Sequence, residues 1–388
     1  MAVPLRTLVP APVELPPRAV RLRADIRAFL AKERSADRWQ PSVDGWFAGW
    51  DERFSRKVAA QGWLGMTLPR RYGGQDASVL ERYVVIEELV AAGAPVAAHW
   101  VADQQVGPAL LRFGTEAQRQ EFLPGIAEGR TYFGIAVSEP HAGSDAAAIS
   151  TEAHPVEGGW VLSGTKAWVA GAGRVHALVV LARSAAPDAA DRRHGMTQFI
   201  VRADVPGLTI RPRPVLTGEP HLAEVSFDGV FVPAAMVLGK VGRGWSQLMG
   251  QLAFERSGPE QFLSTYPLLR ELAGVPASGR EVEVARLLGS ALARLWTLRQ
   301  MSLGVAGELG DGRAPELAAS LVKELGSRFG HEVVEVARMV RGGSPAVGSA
   351  DDYRRLLAEA VLAAPSFTLR GGSNEVLRGI VARGLGSR

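Results

Sequence analysis

The chain has 388 residues, 47% of them apolar and 22% charged, with a formal net charge of +4 and no cysteine. That length suffices for two or three domains, and the composition is that of a soluble globular protein. The missing cysteine excludes disulfides, thiolate metal sites and a cysteine nucleophile. The seven histidines form no His-x-His or His-Glu-x-x-His pattern, so no metal site is expected. Basic residues are scattered, so nucleic acid is not an expected partner. No apolar run approaches the ~18 residues of a membrane span.

Residues 1–20 carry Pro4, Pro10, Pro12, Pro16 and Pro17 and read as a flexible N-terminal arm. These prolines interrupt any export signal, which leads to the expectation of a cytoplasmic protein. A helical region follows over 21–130. Helical spacing of apolar residues marks Arg21–Lys32, roughly Phe47–Gln61, Ser78–Ala92, Val101–Phe113 and Glu116–Ala127. Glu87 and Glu88 point about 100° apart on their helix and read as structural rather than as a proton-sharing pair.

The pattern changes over 131–240. Short segments rich in Val, Ile, Phe and Trp cover 131–137, 159–169, 175–183, 197–203, 207–213 and 223–232. Glycine turns separate them, so a β-barrel or sandwich domain is expected. Helical periodicity returns over 241–388. Gly326 and Gly330, four residues apart, would let a neighbouring helix approach closely.

Four stretches could carry chemistry. Val137-Ser-Glu-Pro-His-Ala-Gly-Ser-Asp145 takes an apolar strand into a turn with two hydroxyls, a stiffening Pro140 and a permissive Gly143. It suits an anionic or heteroaromatic cofactor, although an ordinary strand end has the same composition. The second is Gly164-Thr-Lys-Ala-Trp-Val-Ala170. The third is Leu369-Arg-Gly-Gly-Ser-Asn-Glu-Val-Leu-Arg378, with Ser373 as the expected cap of a C-terminal helix. The fourth is Leu252-Ala-Phe-Glu-Arg-Ser-Gly-Pro259, where Pro259 should kink a helix at Glu255.

The first stretch resembles the flavin-contact motif Thr/Ser-Glu-Pro-x-Ala-Gly-Ser-Asp of the acyl-CoA dehydrogenase family. The second is similar to that family's Gly-x-Lys-x-Trp-Ile-Thr/Ser strand, and the third to its Tyr-Glu-Gly-Thr-x-Glu-Ile-x-Arg segment. Gly62-Trp-Leu-Gly65 and Tyr72-Gly-Gly74 resemble its N-terminal helical domain. The resemblance covers about 20–388 and implies an α+β fold: N-terminal helical domain, middle β-domain, C-terminal four-helix bundle. It implies FAD as cofactor, an acyl-CoA substrate, an electron-transferring flavoprotein as redox partner, and a homotetramer or a heterotetramer with a related chain.

It further implies FAD contacts from Ile135, Ala136, Val137, Ser138, Gly143, Ser144, Trp168, Val169, Ala170, Ser373 and Glu375. Substrate contacts fall on Ser144, Phe254, Arg256 and Gly372. In the branch that includes isovaleryl-CoA dehydrogenase the catalytic base follows a Leu-x-x-Glu-Arg pattern, which places it at Glu255. The Gly371 backbone N–H would polarise the thioester carbonyl. There are departures. Gly371 stands where most of the family has a base, and Ala170 lacks the hydroxyl that bonds flavin N5. The interface Arg-x-x-Phe-Gly is missing, and Met339 replaces a Gln. The implied activity is α,β-desaturation of an acyl-CoA. An oxidase, monooxygenase or lyase on the same fold, or a noncatalytic subunit of a heteromeric enzyme, are the alternatives.

Overall fold

The computed structural model describes residues 8–186, 188, 190–274 and 279–386, with backbone only for 252–255. The helices before the sheet are α1 (Pro17–Ser35), α2 (Glu52–Ala60), α3 (Val79–Ala91), α4 (Ala97–Val101), α5 (Gly107–Phe113) and α6 (Glu116–Ala127). Strands follow as β1 (Phe133–Ala136), β2 (Glu152–Val156), β3 (Gly159–Ala170), β4 (Ala177–Arg183), β5 (Met196–Arg202), β6 (Leu208–Arg213), β7 (Leu222–Pro233) and β8 (Val237–Leu238). The later helices are α7 (Gly244–Glu255), α8 (Glu260–Leu263), α9 (Tyr266–Leu272), α10 (Glu281–Gly310), α11 (Glu316–Val340), α12 (Asp352–Phe367) and α13 (Asn374–Gly384). The expected order of helices, sheet and helices is present.

The chain forms two compact units. Unit 1 takes the residues up to Gly49, Ser78–Val96 and those from Ala253 on, and unit 2 takes Trp50–Ala77 and Ala97–Leu252. Helix starts follow local capping chemistry. At α3, Ser78 Oγ accepts from Glu81 N, and the Glu81 carboxylate accepts from Ser78 N at 2.7 Å. Thr115 and Gln118 repeat this box at α6. The stretch expected as one helix over 47–61 begins only at Glu52, because the Asp51 carboxylate caps Phe54 N.

In unit 1, Glu87 bonds Arg23 and Arg299, while Glu88 bonds Arg23 and Arg27. Both carboxylates are buried and spent on ion pairs, which tie α1 and α10 to α3. The proline-rich start is not a loose arm throughout. A Cβ on Gly304 or Gly307 of α10 would meet Pro10 or Val13 at 2.7 Å, and Val13 and Leu15 pack with Tyr83 and Leu303. Prolines lack the amide for an element of their own but still bury apolar rings. On α11, a Cβ at Gly330 would lie 2.9 Å from the Phe367 ring, and one at Gly326 would lie 2.6 Å from Gln261 O. These glycines are what lets α12 and α8 close onto α11.

Unit 2 is built on one sheet, in the order β6-β7-β3-β2-β4-β5-β8, with β1 paired parallel to β4. Strand β4 reads Ala-Leu-Val-Val-Leu-Ala and is buried on both faces. Leu178 and Val180 join Leu162, Phe199 and Val225, while Ala177 and Val179 face Leu110, Leu123 and Phe133. Strands β2 and β8 escape sequence reading, since Glu-Ala-His-Pro-Val is mostly exposed and β8 has two residues. Among the described residues no helix is long and apolar enough to cross a membrane, and no group of three His, Asp or Glu could hold a metal.

Candidate functional site

Unit 2 carries the first two motifs, and a buried ion pair joins them. Lys166 Nζ on β3 donates to Glu139 Oε1 and to Val137 O, both at 2.9 Å. One residue on, Ala167 N donates to Ser138 O at 2.8 Å. The other Glu139 oxygen accepts from Ser150 N and Oγ, and Oε1 also accepts from Thr151 N. Burial pushes the Glu139 carboxyl up, but the Lys166 charge and the Thr151 and Ser150 donors outweigh it and hold it well below the usual range. Burial pulls Lys166 down, only partly offset by Glu139. Neither residue stood out in the sequence as functional. The available signal was one charge just past the apolar strand β1 and a lone charge within β3.

The lock leaves the rest of the first motif accessible. Glu139 and Ala142 exchange both backbone bonds in a tight turn. Beyond it Gly143 has nothing within 4 Å of where a Cβ would stand, and Ser144 is exposed. Ile135 and Val137 are half-buried and Ala136 is buried. Strand β3 breaks register against β7 between Lys166 and Val169. In that bulge Trp168 takes φ 60° and is 62% exposed, while Val169 is buried. A left-handed tryptophan is a strained conformation, and such strain persists where the surrounding structure imposes it. Ala170 pairs with Leu222 and offers no hydroxyl.

Unit 1 carries the other set. Helix α7 does not kink at Glu255 as expected; it ends there, and 256–259 turn into α8. The Pro259 ring cannot sit over the carbonyl of residue 255 in a continuing helix. The side chains of Phe254 and Glu255 lie outside the described residues. Arg256 Nε donates to Gly371 O at 3.2 Å. Gly371 and Gly372 have φ of 66° and 96°, a region that L side chains rarely adopt. Glycine at 371 adopts this backbone without strain.

Loop bonds run from Leu369 and Arg370 to Ser366 O and from Asn374 to Thr368 O. The Gly371 and Gly372 amides have no acceptor among the described residues. Ser373 caps α13 by accepting from Val376 N at 3.4 Å and is buried, while Glu375 is exposed. Helix α11 holds the same end. Lys323 Nζ donates to Phe367 O, Ser327 Oγ to Asn374 Oδ1, and Arg378 to the buried Glu324.

A helical region, a middle sheet and a C-terminal helical region follow one another along the chain, with these motifs in the sheet and the last loop. Family models describe the same parts: acyl-CoA dehydrogenase N-terminal domain over residues 17–130, middle domain over 134–230 and C-terminal domain over 270–386. The chain belongs to the acyl-CoA dehydrogenase family. It is 32% identical over 338 residues to the acyl-CoA dehydrogenase IpdE1 of Mycobacterium tuberculosis, covering 85% of this chain and 86% of that one. Among solved structures it resembles the Tcur3481-Tcur3483 steroid ACAD, with TM-score 0.82, 27% identity, and 97% and 100% of the two chains covered. The ChsE4-ChsE5 complex from Mycobacterium tuberculosis gives TM-score 0.77, 26% identity and 96% and 97% coverage.

Proposed function

We propose that this chain is an FAD-dependent acyl-CoA dehydrogenase that desaturates the α,β bond of an acyl-CoA and passes electrons to an electron-transferring flavoprotein. The observation that carries the reading is Trp168: a strained, uncovered indole on a strand locked to the 137–145 segment. The residues fit a flat heteroaromatic group. Trp168 offers a face, Gly143 leaves room, and Ser138 and Ser144 supply hydroxyls. Ser373 serves as a helix cap, so its share in holding the cofactor would come through the start of α13.

FAD, when bound, supplies the acceptor for the β-hydrogen, which leaves with its electron pair. This chain's residues would do the rest. The Glu255 carboxylate takes the α-proton, and the Gly371 N–H bonds the thioester oxygen, where negative charge develops. Arg256 holds the Gly371 carbonyl, in the peptide that follows that amide. A titration of the purified protein with a panel of acyl-CoAs should bleach its flavin absorption for at least one of them. A colourless protein that FAD cannot reconstitute sinks the reading.

Gly371 and the likeness to the ChsE4-ChsE5 complex favour a second reading, in which the chain is one partner of a heteromeric dehydrogenase. Helix α10 exposes Val282, Leu292 and Trp296 for subunit contacts in either a homo- or a heterotetramer. Flavin stoichiometry of the chain purified alone separates the two: about one per subunit for a self-sufficient enzyme, less for a partner-dependent one.

A further inference from the structure

The loop carrying the Gly371 amide is clamped on one side by an ion pair joining residues far apart in the chain. Arg370 donates from both terminal nitrogens to the Asp44 carboxylate, with Nη2 2.6 Å from Oδ1. Its guanidinium lies 4.5 Å from the Phe47 ring centre, 4.8 Å from Trp46 and 5.3 Å from Phe367. Asp44 is itself fixed, since it is buried and its N–H donates to Ser264 O at 3.1 Å. The Trp46 indole donates to Ser264 Oγ at 2.8 Å. A two-pronged guanidinium–carboxylate pair among aromatic faces is stiff, whereas two successive left-handed glycines are the most permissive backbone available.

The direction of the Gly371 N–H is set by the peptide plane between residues 370 and 371. One side of that plane hangs from the Arg370 Cα, and beyond the other Arg256 holds the Gly371 carbonyl. We propose that Arg370, held by Asp44, is a positioning residue that aims the Gly371 amide at the thioester carbonyl of the substrate. This inference rests on the proposed function. Asp44 neutralises the guanidinium, so Arg370 acts through orientation rather than by attracting an anionic ligand. A hydrogen bond to a developing oxyanion works only when its donor is already aimed. The clamp removes the freedom that Gly371 and Gly372 would otherwise have.

The test uses the FAD-loaded full chain with 4-dimethylaminocinnamoyl-CoA, a thioester whose absorption moves to longer wavelength as its carbonyl is polarised. The variants are Arg370→Met, Arg370→Lys and Asp44→Asn. Arg370→Met and Asp44→Asn should lose about half or more of the bound-probe red shift and slow flavin reduction at saturating acyl-CoA at least about tenfold. The Kd for the probe should change less than about threefold, since most contacts with it remain. Arg370→Lys, with a single point charge, should fall between them and the wild type. The double variant should be no slower than the slower single one.

If Arg370→Met does not fold, Asp44→Asn and Arg370→Lys carry the same readouts. Variants that keep the wild-type red shift and reduction rate overturn the proposal, whatever their thermal stability. A wild-type chain that holds FAD and reduces it with acyl-CoA but gives no red shift overturns the inference alone. A chain that neither binds the probe nor is reduced overturns the functional reading, and this inference with it.

Discussion

The Lys166 ammonium and the Glu139 carboxylate stand 2.9 Å apart with side chains 0% and 1% exposed. They join strand β3 to the loop after β1, and thus hold together the two motifs proposed to bind the cofactor. Removing one partner leaves a buried charge. Lys166→Met should therefore destabilise the chain by about 3–5 kcal/mol, whereas Lys166→Met with Glu139→Gln should recover much of that loss. Urea unfolding of both singles and the double measures the cycle. Additive effects would mean that the pair is not coupled.

The same carboxylate gives a pH dependence. Its pKa in the folded chain is held down to about 2, against about 4.3 in an unfolded one. A depressed carboxylate stabilises the fold above the unfolded value and loses that contribution as pH falls through the folded one. Stability should therefore drop between about pH 4.5 and 2, by up to about 3 kcal/mol from this group. Glu139→Gln should flatten that part of the profile, as followed by denaturant unfolding at successive pH values.

Trp168 separates strain from function. Trp168→Gly relieves a left-handed backbone and removes a largely exposed indole, so apo stability should change by less than about 1 kcal/mol. Affinity for FAD should nonetheless fall about tenfold or more, through loss of the stacking face. Fluorescence titration with FAD and thermal unfolding of the apo chain give the two numbers. Unchanged FAD affinity would remove Trp168 from the cofactor site.

Glu255→Gln is close to isosteric and cannot accept a proton. The rate of flavin reduction by a good acyl-CoA should fall by about 10²–10⁴-fold or more, with FAD content and thioester binding retained. Anaerobic stopped-flow reads this directly. A wild-type rate would mean that Glu255 is not the base and would favour the partner-subunit reading.

Gly326→Ala should cost about 1–3 kcal/mol, because its Cβ would stand 2.6 Å from the Gln261 carbonyl, a backbone atom that cannot swing aside. Thermal unfolding checks it, and a neutral effect would show that α8 can shift away from α11.

The sequence by itself determined the elements whose causes are local. Ser78 with Glu81 and Thr115 with Gln118 place helix starts within three residues, and the apolar run of β4 marks a strand buried on both faces. The motifs at 137–145, 164–170 and 369–378 were legible because each is continuous in the chain. Local signals failed where an element is too short or too polar, as at β8 and β2, or where burial came from elsewhere, as for Pro10 and Val13 on α10. Only the tertiary structure decided the pairings that hold those motifs. Glu139 meets Lys166 across 27 residues, and Arg370 meets Asp44 across 326. A charged side chain carries no mark of its partner, because its pairing depends on which distant segment the packing brings within 3 Å or so. Capping and periodicity act over a few residues; the desolvation that makes these pairs matter exists only once the chain has closed around them.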